Sequence, residues 1–336
     1  MDTFTHIAIG ACVGYATFGK TAGKKAMIWG AVAHSLPDVD FVSGLWLDGP
    51  AALLAHRGFT HSWLFVFMAS FVLLFIFRMI HSQTPVSSRR LLFLLFTALS
   101  LHILLDSLNV YGTGWWEPFN HTRVAFDVLF VADPLFSVVP GIALLALLVM
   151  RKKKRLCMIT SVAGLLFPLV YIMLAVFFQQ VIRTDVKRIL AKQGVKYKRF
   201  MTTPLPFQTL LHNAVIECES GYYIGYRSIL DKQENLNLCF LLKREDLLSD
   251  APNQVDVGLL KRFSGGYYIV DSLGGTVRFH DLRFGEVQGW TGLYQGTVFS
   301  YNLKKGPADK MVLQRGRSKD FSAPAMKSLW ARMKGI

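Results

Sequence analysis

Residues 156–178 read LCMITSVAGLLFPLVYIMLAVFF, twenty-three consecutive positions without a formally charged side chain. A helix that crosses a bilayer needs ~20 mostly apolar residues, so this run predicts a membrane span. Three shorter runs repeat the signal: Trp63–Phe77, Leu91–Leu105 and Leu135–Met150. Their flanks must contribute if they are to cross. Two weaker runs come first, Ile7–Phe18 and Ala26–Leu36, and read as a short helical hairpin. No basic n-region or small-residue cleavage site opens the chain, and Asp2 follows Met1, so no cleaved signal peptide is expected.

The rest of the 336-residue chain has another character. Residues 183–336 hold 24 Lys/Arg and 14 Asp/Glu. Short alternating segments such as Gly221–Ile229, Gly266–Asp271 and Gly275–His280 predict strands. A helix is expected at Ala323–Met333, and Pro204 and Pro206 suggest an extended linker over 196–210. The expected fold is therefore an α-helical membrane domain over 1–182, followed by a small β-rich α+β soluble domain over 183–336. The first should hold about four spanning helices plus the N-terminal hairpin. With 52% hydrophobic residues and a mean hydropathy of +0.35, a collagen, a coiled coil and a disordered tail are excluded.

The formal charge of +15 is explained largely by topology. Lys20–Lys25 carries three Lys, Arg78–Arg90 three Arg, and Arg151–Arg155 five basic residues. They alternate with Pro37–Ser62 and Tyr111–Asp127, which carry only Arg57 and Arg123. Basic connections favour the cytoplasmic side. Both termini and the connections around residues 37–62 and 111–127 are then expected on the extracytoplasmic side, and no nucleic-acid partner is needed. Trp115 and Trp116 fit an interfacial aromatic belt. Cys12 and Cys157 fall in apolar runs as inert core residues. Cys218 and Cys239 form either a disulfide or two unpaired thiols.

Seven of the nine histidines lie in the first 121 residues, and several stand near carboxylates. His34-Ser-Leu-Pro-Asp38 and His102-Ile-Leu-Leu-Asp106 share one spacing. On a helix, positions i and i+4 lie on one face. Pro37 should end the first helix near Leu36, so Asp38 approaches from a turn. The block His56-Arg-Gly-Phe-Thr-His61 reads as a turn around Gly58, and His6 opens the first apolar segment. Imidazoles and carboxylates without thiolates suit zinc or a related divalent ion.

The charge pattern puts His6, His34, Asp38, Asp40, His56, His61, His102 and Asp106 on one membrane side, and His81 on the other. One buried His–Asp pair is more often a structural hydrogen bond. Several together, near lipid, predict a metal site. The expected ligands are His6, His34, Asp38, His56, His61, His102 and Asp106, holding one to three ions. Asp40 and Arg57 are candidates for the chemistry. The planar guanidinium of Arg57 suits a phosphate oxygen, or a lipid headgroup alone. Asp133 reads as a helix cap and His121 as interfacial, while His212 and His280 read as ordinary domain residues.

Together these blocks resemble the YdjM-type family of membrane-bound metal-dependent hydrolases. The resemblance rests on Thr5-His6, His34 to Asp38-Val-Asp40, His56 to His61-Ser62, and His102 to Asp106. Tyr111-Gly112, Pro118-Phe119 and Asp133-Pro134 add to it, and it covers roughly residues 1–180. The domain with Gly221-Tyr-Tyr-Ile-Gly225 and Asp281-Leu-Arg-Phe-Gly285 looks like the extension of longer members. That family is in turn similar to the zinc-dependent phospholipase C superfamily. The resemblance implies phosphoester hydrolysis in a bacterial inner membrane, with a membrane lipid or another phosphoester as substrate. No specific protein partner is implied. Two other classes fit the residues: a non-enzymatic membrane protein that binds or senses divalent metal, and a scaffold whose β-domain is an interaction module.

Overall fold

The computed structural model describes residues 1–47, 49–150, 153–249, 251, 253–292, 296–303, 312–315 and 322–335. Arg151 and Lys152 of the expected basic anchor lie outside the described residues. The chain forms two compact units. One comprises Met1–Ser43 and Ala55–Leu174; the other comprises Gly44–Leu54 and Ala175–Ile336.

The first unit is helical. It contains α1 (Thr3–Ala22), α2 (Lys24–Ser35), α4 (Trp63–Ile80), α5 (Ser88–Asp106) and α6 (Pro134–Val149). A short helix, α3 (Gly49–Ala55), precedes α4, and the long α7 (Lys154–Lys192) runs from the first unit into the second. Side-chain caps fix the starts: Asp2 accepts from Thr5 N, Ser62 from Phe65 N, and Ser87 from Arg90 N. Asp133 caps α6 as expected, accepting from Leu135 N.

Among the described residues, three helices, α4, α5 and α7, are long and apolar enough to cross a membrane. The fourth expected span is shorter: α6 has 16 residues, roughly 24 Å against a ~30 Å hydrocarbon core. Its flanks do not extend it, because Asp133-Pro134 starts the helix and Met150 ends it. Large apolar side chains remain exposed on these helices, among them Phe67, Phe71 and Phe75 on α4 and Leu166, Val170 and Met173 on α7. A contiguous face of this kind belongs in lipid.

The N-terminal hairpin is present, and α1 is longer than its apolar run. Its two helices pack at backbone contact. A Cβ on Gly14 would sit 2.0 Å from the Ala26 carbonyl oxygen, and one on Gly30 2.2 Å from that of Gly10. Glycine alone permits that approach, as at small-residue seams between membrane helices. Ala11, Cys12, Tyr15, Met27, Ala143, Leu147 and Cys157 form a core beside it.

Among the described residues, the second unit holds two four-stranded antiparallel sheets, each a meander. The first is β1 (Arg199–Pro204), β2 (Leu211–Glu217), β3 (Gly221–Ser228) and β4 (Cys239–Leu242). The second is β5 (Tyr268–Leu273), β6 (Thr276–Glu286), β7 (Thr297–Leu303) and β8 (Val312–Arg315). Two helices, α8 (Gln254–Phe263) and α9 (Ala323–Met333), complete it, the latter where the sequence predicts it. The stretch 196–210 is not a linker: β1 pairs along Arg199↔Glu217 to Pro204↔His212. Pro204 is tolerated there because it closes an edge strand, where an absent N–H costs no ladder bond. Cys218 and Cys239 are both free thiols. Cys218 stands at the β2–β3 turn, while Cys239 pairs with Ile224 within the sheet.

Candidate metal centre

Four stretches of the first unit converge. The α1–α2 hairpin brings His6, one turn into α1, to His34, at the end of α2; their Nδ1 atoms lie 3.3 Å apart. Helix α5 stays helical through Asp106, so His102 and Asp106 share a face, with Nε2 and Oδ2 3.9 Å apart. Pro37 ends α2, and Asp38 and Asp40 follow in a 3-10 segment, Leu36–Leu45. His61 closes a second 3-10 turn, Phe59–His61, set between Gly58 and Ser62.

Among the described residues, two groups of side chains could hold a metal ion. The first is His6, His34 and His102; the second is Asp38, His61, His102 and Asp106. In the second, His61 Nε2 lies 3.1 Å from His102 Nε2, 3.7 Å from Asp38 Oδ1 and 3.4 Å from Asp106 Oδ2. His102 Nε2 is 3.6 Å from Asp38 Oδ1. A tetrahedral ion with bonds of about 2.0–2.1 Å spaces its ligand atoms roughly 3.3 Å apart. Five of the six edges of the quartet thus run from 3.1 to 3.9 Å, near that spacing.

The groups share His102, and a carboxylate of the second also reaches the first. Asp106 Oδ1 lies 3.2 Å from His6 Nε2, while its Oδ2 faces the quartet. The Met1 amine also pairs with Oδ1. His34 Nε2 and His102 Nδ1 are buried with no hydrogen-bond partner among the described residues. Buried polar atoms without partners are costly unless something fills the gap. The donor set, imidazole nitrogens and carboxylate oxygens, suits a divalent transition ion.

The profile of the YdjM inner membrane protein family matches residues 1–184. The chain belongs to that family. It is similar to the inner membrane protein YbcI of Escherichia coli (strain K12), at 33% identity over 121 residues, covering 35% of this chain and 68% of that protein. It is also similar to the uncharacterized protein YfhP of Bacillus subtilis (strain 168), at 31% identity over 145 residues. That match covers 41% of this chain and 43% of YfhP, so less than half of YfhP's length is spanned. No solved structure matches at a significant level. The family and the apolar helices together make this an integral inner-membrane protein.

In this YdjM-family chain, six of the expected ligands fall in the two groups: His6, His34, Asp38, His61, His102 and Asp106. His56 does not. Its Nδ1 is committed to Asp40 Oδ1 at 2.7 Å, and the ring stays about one-third exposed. The residue falls on the far side of the Gly58 turn from His61, so the two rings stand 6.3 Å apart. Asp40 is also outside both groups. Its carboxylate takes donors from His56, the Arg57 backbone N–H (2.7 Å), Thr60 Oγ1 (2.8 Å) and His61 Nδ1 (3.2 Å). It orients His61 from behind, as carboxylates do for metal-binding imidazoles.

Charge follows this geometry. Burial pushes the Asp40 carboxyl up, but hydrogen bonds from His56 and His61 outweigh it and hold the group below the usual carboxylate range. Burial likewise opposes ionisation of Asp38, and the neighbouring His102 outweighs it. For His61, burial lowers the imidazole, and the partners Asp106 and Asp40 carry it above its ordinary value.

Arg57 is 3% exposed. Its Nε lies 2.9 Å from Asp106 Oδ2, Nη1 donates to Asn109 Oδ1 at 2.9 Å, and the guanidinium stands 4.9 Å from the Tyr111 ring centre. Its backbone is left-handed, at φ 59°, a strained state for a side-chain-bearing residue. The Gly114 N–H donates to the Arg57 carbonyl at 2.8 Å and helps hold the turn. Thr60 and Asn109 escaped the sequence reading; Asn109 follows His102-x-x-x-Asp106 by three residues, the one signal available. A cleft of about 470 Å³ opens beside the centre, lined among others by Val32, Asp38, Val39, Phe41, His56 and Arg57.

The remaining histidines stand elsewhere. His81 packs against Trp29 and Phe77, and His121 pairs with Glu117 at the surface. His212 is buried in β2. His280 does have an acidic neighbour, which sequence spacing hid: Asp271, 3.1 Å away on the adjacent strand. Trp115 packs edge-on against Trp63, while Trp116 is exposed.

Proposed function

We propose that this protein is a membrane-bound, metal-dependent hydrolase that cleaves a phosphoester of a lipid-associated or headgroup phosphate. The single observation that carries the reading is the quartet Asp38, His61, His102 and Asp106, whose ligand atoms stand at tetrahedral spacing. Zinc suits this donor set, and the first group, His6, His34 and His102, which shares His102 with the quartet, gives room for another ion beside Asp106.

A divalent ion bound there supplies Lewis acidity and lowers the pKa of a water towards ~7. The residues of the chain do the rest. Asp40 fixes the ring of His61, and with it the direction of Nε2. Arg57, anchored through Nε by Asp106 and through Nη1 by Asn109, borders the cleft, where Nη2 can meet a phosphoryl oxygen. His56 also lines the cleft; with Nδ1 held by Asp40, its Nε2 is the ring atom left to exchange a proton with the leaving alcohol. In the net reaction the water oxygen bonds to phosphorus, the phosphorus–ester oxygen bond breaks, and a proton goes to the departing alkoxide. As part of this proposal we take the centre and the C-terminal domain to be extracytoplasmic, a reading supported by the alternation of basic connections along the sequence.

The test is elemental analysis of detergent-purified protein, with turnover of a phosphodiester before and after chelation. Bound zinc, chelator-sensitive turnover, and loss of both in His34→Ala and Asp106→Ala are expected. Bound metal without turnover would instead favour a metal carrier or sensor. Unchanged metal content in both variants would sink the centre itself.

A further inference from the structure

The cleft beside the centre has a mixed lining. Asp38, His56 and Arg57 contribute charged or polar groups to it, and Val32, Leu36, Val39 and Phe41 contribute apolar side chains. Three of these apolar side chains are also exposed: Val32 at 44%, Val39 at 47% and Phe41 at 72%. The cleft, about 470 Å³, is far larger than a phosphate group needs and falls within the range of sites for whole small molecules, ~300–1,000 Å³.

Exposed valine and phenylalanine beside a carboxylate, an imidazole and a guanidinium make an amphipathic trough. In a chain embedded in lipid, exposed apolar side chains of this kind stay in contact with hydrocarbon, while Asp38 belongs to the cluster itself. We infer that the substrate is an amphiphile whose alkyl or acyl chain lies against Val32, Val39 and Phe41 while its phosphoester reaches Arg57 and the His/Asp cluster. This rests on the hydrolase reading above and deepens it. These apolar side chains select the substrate by chain length, and Phe41 and Val32 are the specificity-determining residues. Water remains the co-reactant, and the bond broken is the phosphorus–oxygen ester bond.

The test uses full-length protein in nanodiscs and a series of alkyl p-nitrophenyl phosphates, methyl to dodecyl. All share one leaving group, so p-nitrophenol release reads the same bond cleavage throughout. A fully buried methylene is worth up to about fourfold in binding. The ratio of kcat/KM for the dodecyl over the methyl ester should exceed about tenfold in the wild type. It should fall by about tenfold in Phe41→Ser and in Val32→Ser, both at exposed positions where folding is spared. A ratio near one in the wild type overturns the inference and leaves the hydrolase reading standing. If no ester is cleaved, binding of the same series decides. Affinity that rises with chain length and falls in Phe41→Ser upholds the trough while the hydrolase reading fails; affinity indifferent to chain length overturns the trough as well.

Discussion

His61 Nε2 and His102 Nε2 face each other at 3.1 Å, both rings fully buried. His61 Nδ1 is 3.2 Å from Asp40 Oδ2, which favours its proton on that atom and a lone pair on Nε2. Two ring nitrogens at this distance need a proton or a cation between them. Asp38 and Asp106 close the same space from two other directions.

Removal of the ion should therefore cost stability. A ligand at 100 times its Kd stabilises by about 2.7 kcal/mol, so chelation should lower the unfolding midpoint, and added zinc should restore it. An unfolding midpoint indifferent to chelator and zinc would count against a bound ion.

Asp40→Asn tests orientation apart from ligation. A residue that orients a metal-binding imidazole alters affinity by about 10–100-fold and leaves the number of sites unchanged. Competition against a chromogenic chelator should show weaker binding at full stoichiometry. Loss of a whole equivalent of metal would make Asp40 a ligand in its own right.

Arg57→Ala removes the buried cation beside Asp106. Breaking such a pair typically costs about 3–5 kcal/mol, because the partner charge stays buried. Urea unfolding with chelator present should show that loss, and bound metal should reduce it by replacing the missing positive charge. An equal loss with and without metal would show that Asp106 does not face an ion.

Gly14→Val addresses helix approach. Its Cβ would lie 2.0 Å from the Ala26 carbonyl, so α1 and α2 must separate. His6 and His34, 3.3 Å apart, would separate with them. Metal content should fall while circular dichroism keeps its helical signal. Retained metal at full stoichiometry would show that the hairpin does not set the site.

The C-terminal domain should be acid-sensitive through His212. Burial pushes this imidazole down to about 4, and its Nε2–H donates to the Thr209 carbonyl. Between that value and its ordinary 6.5, only the unfolded chain takes up the proton. The stability His212 contributes is thus complete above pH ~6.5 and is lost as pH falls towards ~4, about 3 kcal/mol in all. The protection factors of β2 amides, after division by the pH-dependent intrinsic exchange rate, should fall over that window in the wild type and change less in His212→Gln. Equal pH dependence in both would remove His212 as the cause.

Much of the candidate site was legible because its chemistry is written in residue types. His102 and Asp106 lie in an otherwise apolar helix, and ionisable groups there are conspicuous. The i, i+4 spacing predicted His102 and Asp106 on one face of α5, and the stop at Pro37 predicted Asp38 in a turn after α2, where the structure has them. Roles within the cluster were not legible. His56 and His61 look alike in sequence, yet a left-handed Arg57 sends one ring towards Asp40 from outside and the other into the quartet.

Hydropathy, period and charge are local properties, and by themselves they determined the apolar helices, the β-rich second half and the cast of candidate ligands. Only the tertiary structure decided that α6 is too short to match its neighbours, that 199–204 is an edge strand, and that Asp40 supports His61 from behind. The reason is distance. Whether ring nitrogens and carboxylate oxygens can share an ion depends on ångström-scale approaches between segments far apart in the chain. Helix contact at Gly14 and Gly30, and the turn at Arg57-Gly58, set those approaches.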